Sequence, residues 1–212
     1  MKPIKTLLSL LFISLLSSPS WSVTIDDLVK REGIYFQKFT DVPYTGEVTG
    51  KEQGAFKNGI REGAWVFYDE GGQLDDKGNF KNGKMEGAWV YYYSNGQVSI
   101  KSNYKNGNLE GAWVYYHDNG KLRRKGNYKN GGRDGIWIGH FESGPLNVKN
   151  SYKNDKLEGP TVYYWGNGQV RCKGNFKNDN EEGHWICYYE DGTVNKELSG
   201  NYEGGKQVSS DM

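Results

Sequence analysis

The sequence predicts an all-β protein: a single elongated antiparallel sheet of tandem 24-residue β-hairpins, preceded by a cleaved signal peptide. Three observations predict it. First, the 212 residues hold 30 glycines beside 16 Tyr, 8 Phe and 7 Trp, a mixture of turn formers and strand formers that fits neither disorder nor a helical domain. Second, an aromatic residue followed by Lys-Asn returns every 24 residues, at Phe56, Phe80, Tyr104, Tyr128, Tyr152 and Phe176. Third, each unit carries a second turn signal, at Gly71-Gly72, Asn95-Gly96, Asn119-Gly120, Ser143-Gly144, Asn167-Gly168 and Asp191-Gly192, between runs rich in Trp, Tyr and Val.

Residues 1–22 carry Lys2 and Lys5, an apolar stretch to Leu16 and a small polar end with Ser20 and Ser22, which together read as a secretory signal peptide. The stretch is too short for a membrane span of about 20 apolar residues. Removing it leaves 25 basic against 26 acidic side chains, with an exported, periplasmic or secreted location and no transmembrane segment. Residues 23–55 form a cap and a degenerate first repeat, in which Ile25 to Lys30 has room for a helical turn. Six hairpin units fill 56–201, and 202–212 hold a partial repeat and tail that begins at Tyr202, two residues late.

Within each unit the Asn-Gly turn accepts the positive φ of a type I′ hairpin. A two-residue turn at Asn119-Gly120 pairs His117 with Leu122, Tyr115 with Arg124 and Trp113 with Gly126. A longer turn over Lys129 to Asp134 pairs Tyr128 with Gly135 and sets Gly126 facing Trp137. Glycines flanked by tryptophans thus form one stripe, where an indole can lie on bare backbone. Alternation then predicts a core face of Trp65, Trp89, Trp113, Trp137 and Trp185, the rings Phe67, Tyr91, Tyr115 and Tyr163, and the aliphatics Leu74, Val98, Leu122, Leu146, Val170 and Val194. The opposite, wetted face carries Val66, Val90, Val114, Ile138, Val162 and Ile186 beside Tyr68, Tyr92, Tyr116, His140, Tyr164 and Tyr188, with Lys77, Lys101, Lys125, Lys149 and Lys173 across the strands. At roughly 4.8 Å per strand, six units span on the order of 55 to 60 Å.

Two units depart from the pattern. The fourth has Gly139 for the ring and Gly144-Pro145 at its turn; the fifth has Pro160-Thr161 for Ala-Trp, with Trp165 displaced, so a local bend is expected between residues 135 and 165.

The chemistry is sparse. His117, His140 and His184 fall at different repeat positions with no metal-ligand spacing. The acids Glu62, Glu86, Glu110, Asp134, Glu158 and Glu182 each precede a turn glycine and lack the alternating ligands of a calcium loop, so turn chemistry explains them better. Near-neutral charge without a basic block gives no footprint for nucleic acid. No catalytic, metal or cofactor residues are expected, and no cofactor. Cys172 and Cys187 come out as cross-strand neighbours, either bridged or left as two buried thiols.

The unit Tyr104-Lys-Asn-Gly-Asn-Leu-Glu-Gly-Ala-Trp-Val-Tyr-Tyr-His-Asp-Asn-Gly resembles the MORN repeat variant found in bacterial proteins of the YwqK-type antitoxin component family, and Tyr44-Thr-Gly-Glu-Val resembles their leading unit. The resemblance implies a hairpin-repeat sheet, no catalytic residues and a role in protein or membrane contact. The expected function is a non-enzymatic scaffold that binds an unidentified protein partner, antitoxin-like or immunity-like, through the Tyr and Lys rows. The alternative is binding of cell-wall glycan or another polysaccharide by the Tyr and Trp rows.

Overall fold

The computed structural model describes residues 22–211; the proposed signal peptide lies outside the described residues except for Ser22. Among the described residues there is no α-helix, and the repeats build one 17-stranded antiparallel sheet whose strands pair in chain order. A strand such as Gly111–Tyr116 pairs with Leu122–Lys129 ahead of it and with Val98–Lys105 behind it. The expected pairs Trp113 with Gly126 and Tyr115 with Arg124 are both present.

The two kinds of turn exchange the roles expected of them. Lys-Asn-Gly between units is the two-residue type I′ turn: Lys129 pairs with Gly132, and Asn130 and Gly131 both have positive φ, 52° and 84°. The turn at Asn119-Gly120 is instead a three-residue loop, with Gly120 N–H donating to the His117 carbonyl and His117 N–H to that of Lys121. Only Gly120 is left-handed there, φ 79°, which is the type I turn closed by a glycine bulge. The extra loop residue is compensated at Arg123, where a second bulge shifts the pairing back by one. Because the two displacements cancel, Trp113 still meets Gly126.

Between the bulges the register differs from expectation, and that moves a row of side chains. Tyr116, not His117, pairs with Leu122. The same holds for Tyr68 with Leu74, Tyr92 with Val98 and Tyr164 with Val170. The aliphatic row therefore lies on the tyrosine face and not with the tryptophans. At the unit junction Tyr128 pairs with Arg133, not Gly135, and the register jumps by two residues before Lys125 meets Ile138. Gly135, at φ 76°, sits in that jump.

The core is the tryptophan face. Trp65, Trp89, Trp137 and Trp185 are at most 2% exposed. A Cβ at Gly54, Gly78, Gly126 or Gly174 would collide with the indole of Trp65, Trp89, Trp137 or Trp185, respectively, so the indole resting on each glycine belongs to the following unit. Rings on either side close over it edge-on: Tyr128, which opens the same unit, stands 5.1 Å from Trp137 at 88°, and Tyr152, which opens the next, 6.2 Å away at 75°. Burial of one such indole contributes about 4–6 kcal/mol as an upper bound.

Residues 23–48 cover the first edge of this face. Ile25–Asp27 forms a single 3-10 turn, and Leu28–Arg31 pairs with Ile34–Gln37 as a separate hairpin. Leu28 and Val48 pack with Phe56 and Trp65, and Tyr35 N–H donates to the Gly59 carbonyl of the first I′ turn. At the other end Gly200–Glu203 and Lys206–Ser210 make a last hairpin, with Trp185 paired to Gly200. Pairing continues through residues 135–165, where Lys149 meets Ile138 on one side and Val162 on the other. Pro160, which has no N–H to give, takes the second place in its strand. Trp165 is no displaced core residue: its Nε1–H donates to the Tyr188 carbonyl, the service that the Tyr93 hydroxyl performs for Tyr116.

Candidate interaction face

Every lysine of the outer face is paired on both sides with a β-branched residue. Lys77 lies between Val66 and Val90, Lys101 between Val90 and Val114, Lys125 between Val114 and Ile138, and Lys173 between Val162 and Ile186. These ammonium groups are exposed and Tyr68, Tyr92, Tyr116, Tyr164 and Tyr188 are half-buried. Lys77 Nζ sits 5.7 Å over the ring of Tyr92 and Lys101 Nζ 5.8 Å over Tyr116, so each lysine leans along a tyrosine of the next unit. Shallow grooves of about 290 Å3 and 260 Å3 lie between these rows, floored by Ala112, Val114 and Ile138 in one and by Ala64, Val66 and Val90 in the other. With Leu122 and its counterparts added, the face is more apolar than alternation predicted.

The acids expected to serve turns do so one unit away. The carboxylates of Glu62, Glu86, Glu110 and Glu158 accept the N–H of Asn82, Asn106, Asn130 and Asn178 at 2.7–2.9 Å, fastening these four I′ turns to the unit before them. Sequence reading linked each acid to its own glycine; the contact 20 residues ahead follows from stacking one hairpin against the next. The histidines serve separate contacts: His140 Nδ1 meets the Gly144 carbonyl at 3.0 Å and His184 Nε2 the Asp211 carboxylate at 3.1 Å. Cys172 and Cys187 are directly paired with Cα atoms 4.1 Å apart, and their sulfurs are joined. The expected opposition of the two cysteines holds, while Phe176, like Tyr128 at its own junction, pairs two residues short of the turn glycine, with Glu181.

Burial raises the pKa of two carboxyls on the core face, Glu181 and, further, Asp76. Asp76 lies between Phe67 and Tyr91 across the strands, with its Oδ1 buried and unpartnered. Burial first, then the neighbouring Asp75, push it up from 3.8 to about 6, Arg61 opposing. Its folded value lies above its unfolded one, so the folded chain holds more protons between about pH 4 and pH 6, and stability falls as pH rises through that window. Asp76→Asn is expected to flatten this slope and to stabilise the protein at pH 7 by about 1 kcal/mol after solvent screening. Chemical denaturation at pH 4, 5, 6 and 7 checks it; an unchanged slope counts against the assignment.

Sheet, turns and stacked indoles define a tandem β-hairpin repeat protein. The chain belongs to the MORN repeat variant family, which matches residues 61–82, 85–106, 109–130, 157–178 and 181–205, more than half of its length. The matched segments leave out the fourth unit, where Gly139 and Pro145 break the pattern. No curated protein matches the chain. Among solved structures, the crystal structure of a GtfA/B complex bound to UDP and GlcNAc matches at 17% identity and a TM-score of 0.21, over 50% of this chain and 21% of the other. The chain thus spans about a fifth of that protein's length. Among the described residues no helix is long and apolar enough to cross a membrane.

Proposed function

We propose that this protein is an exported, non-enzymatic scaffold that binds another protein through its Lys, Val and Tyr face. The supporting observation is the row in which exposed lysines alternate with β-branched residues over successive units, edged by half-buried tyrosines. A long rigid sheet offers contact area without a pocket, and this row suits an extended partner surface carrying acidic and apolar groups at matching intervals. An exported toxin held in an immunity complex is one such partner. For the glycan reading four of the tryptophans are out of reach, since Trp65, Trp89, Trp137 and Trp185 are at most 2% exposed, which leaves the tyrosine row and the half-buried Trp113 and Trp165 to stack on sugar.

A photoreactive residue in place of Tyr116 tests the proposal in intact cells. A discrete protein adduct, absent when the probe replaces the loop residue Asp118, is the expected result. No adduct above background, or an adduct with wall polymer that also sediments the purified protein, would overturn it.

A further inference from the structure

The irregular fourth unit opens a cavity on the tryptophan face; the sixth, with Cys187 at the same repeat position as Gly139, has a smaller one of about 300 Å3 beside Arg171. At the position of Phe67, Tyr91, Tyr115 and Tyr163 the fourth unit carries Gly139, and a space of about 400 Å3 lies there, lined among others by Trp113, Tyr115, Arg123, Arg124, Gly139 and Val148. Gly139 is buried and pairs directly with Arg124 on one side and Val148 on the other. The missing ring and the two consecutive arginines therefore meet at one place, although they belong to different units. The equivalent pairs elsewhere are Asp75-Asp76, Ser99-Ile100, Asn147-Val148 and Arg171-Cys172.

Both guanidinium groups are held by aromatic partners. Arg123 stacks 4.8 Å from the Tyr115 ring and donates to its hydroxyl at 3.0 Å; Arg124 lies 5.4 Å over Trp137 and donates to the Tyr152 hydroxyl at 3.3 Å. Neither forms an ion pair among the described residues, Asp118 in the adjoining turn included, and Arg124 Nε is buried without a hydrogen-bond partner. Arg61 and Arg133, also set against core rings, pair with Glu52 and Asp155; Arg171, over Tyr163, has no ion pair among the described residues but is exposed, whereas Arg124 is half-buried. A partly buried guanidinium with a spare donor facing an aromatic-walled space is what an anion with an apolar body would complete.

We propose that the cavity over Gly139 binds a small organic oxyanion, a carboxylate or phosphate ester, with its charge on Arg123 and Arg124 and its body against Trp113 and Val148. This site lies on the opposite face of the sheet from the lysine row and does not depend on it.

Titration of the 15N-labelled protein with benzoate, phenyl phosphate, inorganic phosphate and benzyl alcohol tests it, read at the Trp113 indole and Arg124 Nε signals. Saturable shifts with benzoate or phenyl phosphate, weaker with inorganic phosphate and absent with benzyl alcohol, are expected; which organic anion binds tighter decides between carboxylate and phosphate. Gly139→Tyr, which restores the ring that four of the other units carry, and Arg124→Gln should each weaken binding about tenfold or more, with Arg171→Gln unchanged. No saturable shift, equal response to benzyl alcohol, or undiminished binding in both cavity variants would overturn the proposal.

Discussion

Gly126→Ala is expected to destabilise the protein by about 2–3 kcal/mol, an unusually large effect for adding one methyl group. Gly126 has no positive φ, so alanine is free to adopt its backbone and would ordinarily gain stability by restricting the unfolded chain. The cost comes from Trp137, whose ring lies too close to admit the new Cβ and whose Nε1–H donates to the Asn127 carbonyl at 3.2 Å. Trp137→Ala should cost about 3–5 kcal/mol by itself, and the double variant much less than the sum, because each change removes what the other collides with or covers. Gly135→Ala is the contrast: at φ 76° with nothing near its Cβ, it should cost only about 1 kcal/mol, through backbone strain. Urea unfolding followed by tryptophan fluorescence measures all four. A Gly126→Ala protein within about 0.5 kcal/mol of wild type, below the usual range for overpacking, would mean that the indoles do not rest on glycine.

The sequence already contains this experiment. Where the glycine is replaced, by Ser102 and Asn150, the next unit is rearranged in the same way both times. Its first strand splits into Asn108–Leu109 and Gly111–Tyr116 in one case and Lys156–Leu157 and Gly159–Tyr164 in the other. Beside Gly78, Gly126 and Gly174 the carbonyl of the following asparagine accepts an indole N–H; beside Ser102 and Asn150 the corresponding carbonyl accepts the backbone N–H of Glu110 or Glu158. The fifth unit has no tryptophan at this position, and buried Thr161 stands where an indole would meet Asn150.

Cys172→Ala/Cys187→Ala is expected to cost about 3 kcal/mol, the loop-closure value for cysteines with a sequence separation of 15. The loss should be local, because each hairpin touches only its neighbours. Amide exchange should quicken over Gly159–Tyr164, Val170–Lys177 and Asn180–Cys187, while Lys84–Tyr92 stays protected. Free thiols in protein purified from an oxidising compartment, or equal loss of protection along the whole sheet, would contradict this.

Part of what sequence reading missed was nonetheless legible. The I′ turn was expected at Asn119-Gly120, yet in that set of turns only the glycine recurs, which is the mark of a single left-handed residue. In the other set the asparagine recurs at Asn58, Asn82, Asn106, Asn130, Asn154 and Asn178, followed by glycine or aspartate, and both members have positive φ. The aliphatic row was misplaced because one bulge residue reverses every side chain between it and the turn, and a bulge such as that at Arg123 has no strong signal of its own.

The sequence alone determined the period, the pairing of tryptophan with glycine, the two opposed cysteines and the lysine row, because each follows from strand alternation within one hairpin or between adjacent ones. The tertiary structure decided which indole lies on which glycine, which acid holds which turn, and that Arg124 faces the void left at Gly139. These contacts join residues about 10 to 20 positions apart across a unit boundary, where one-residue bulges set the register, and only the stacked sheet fixes where those shifts cancel.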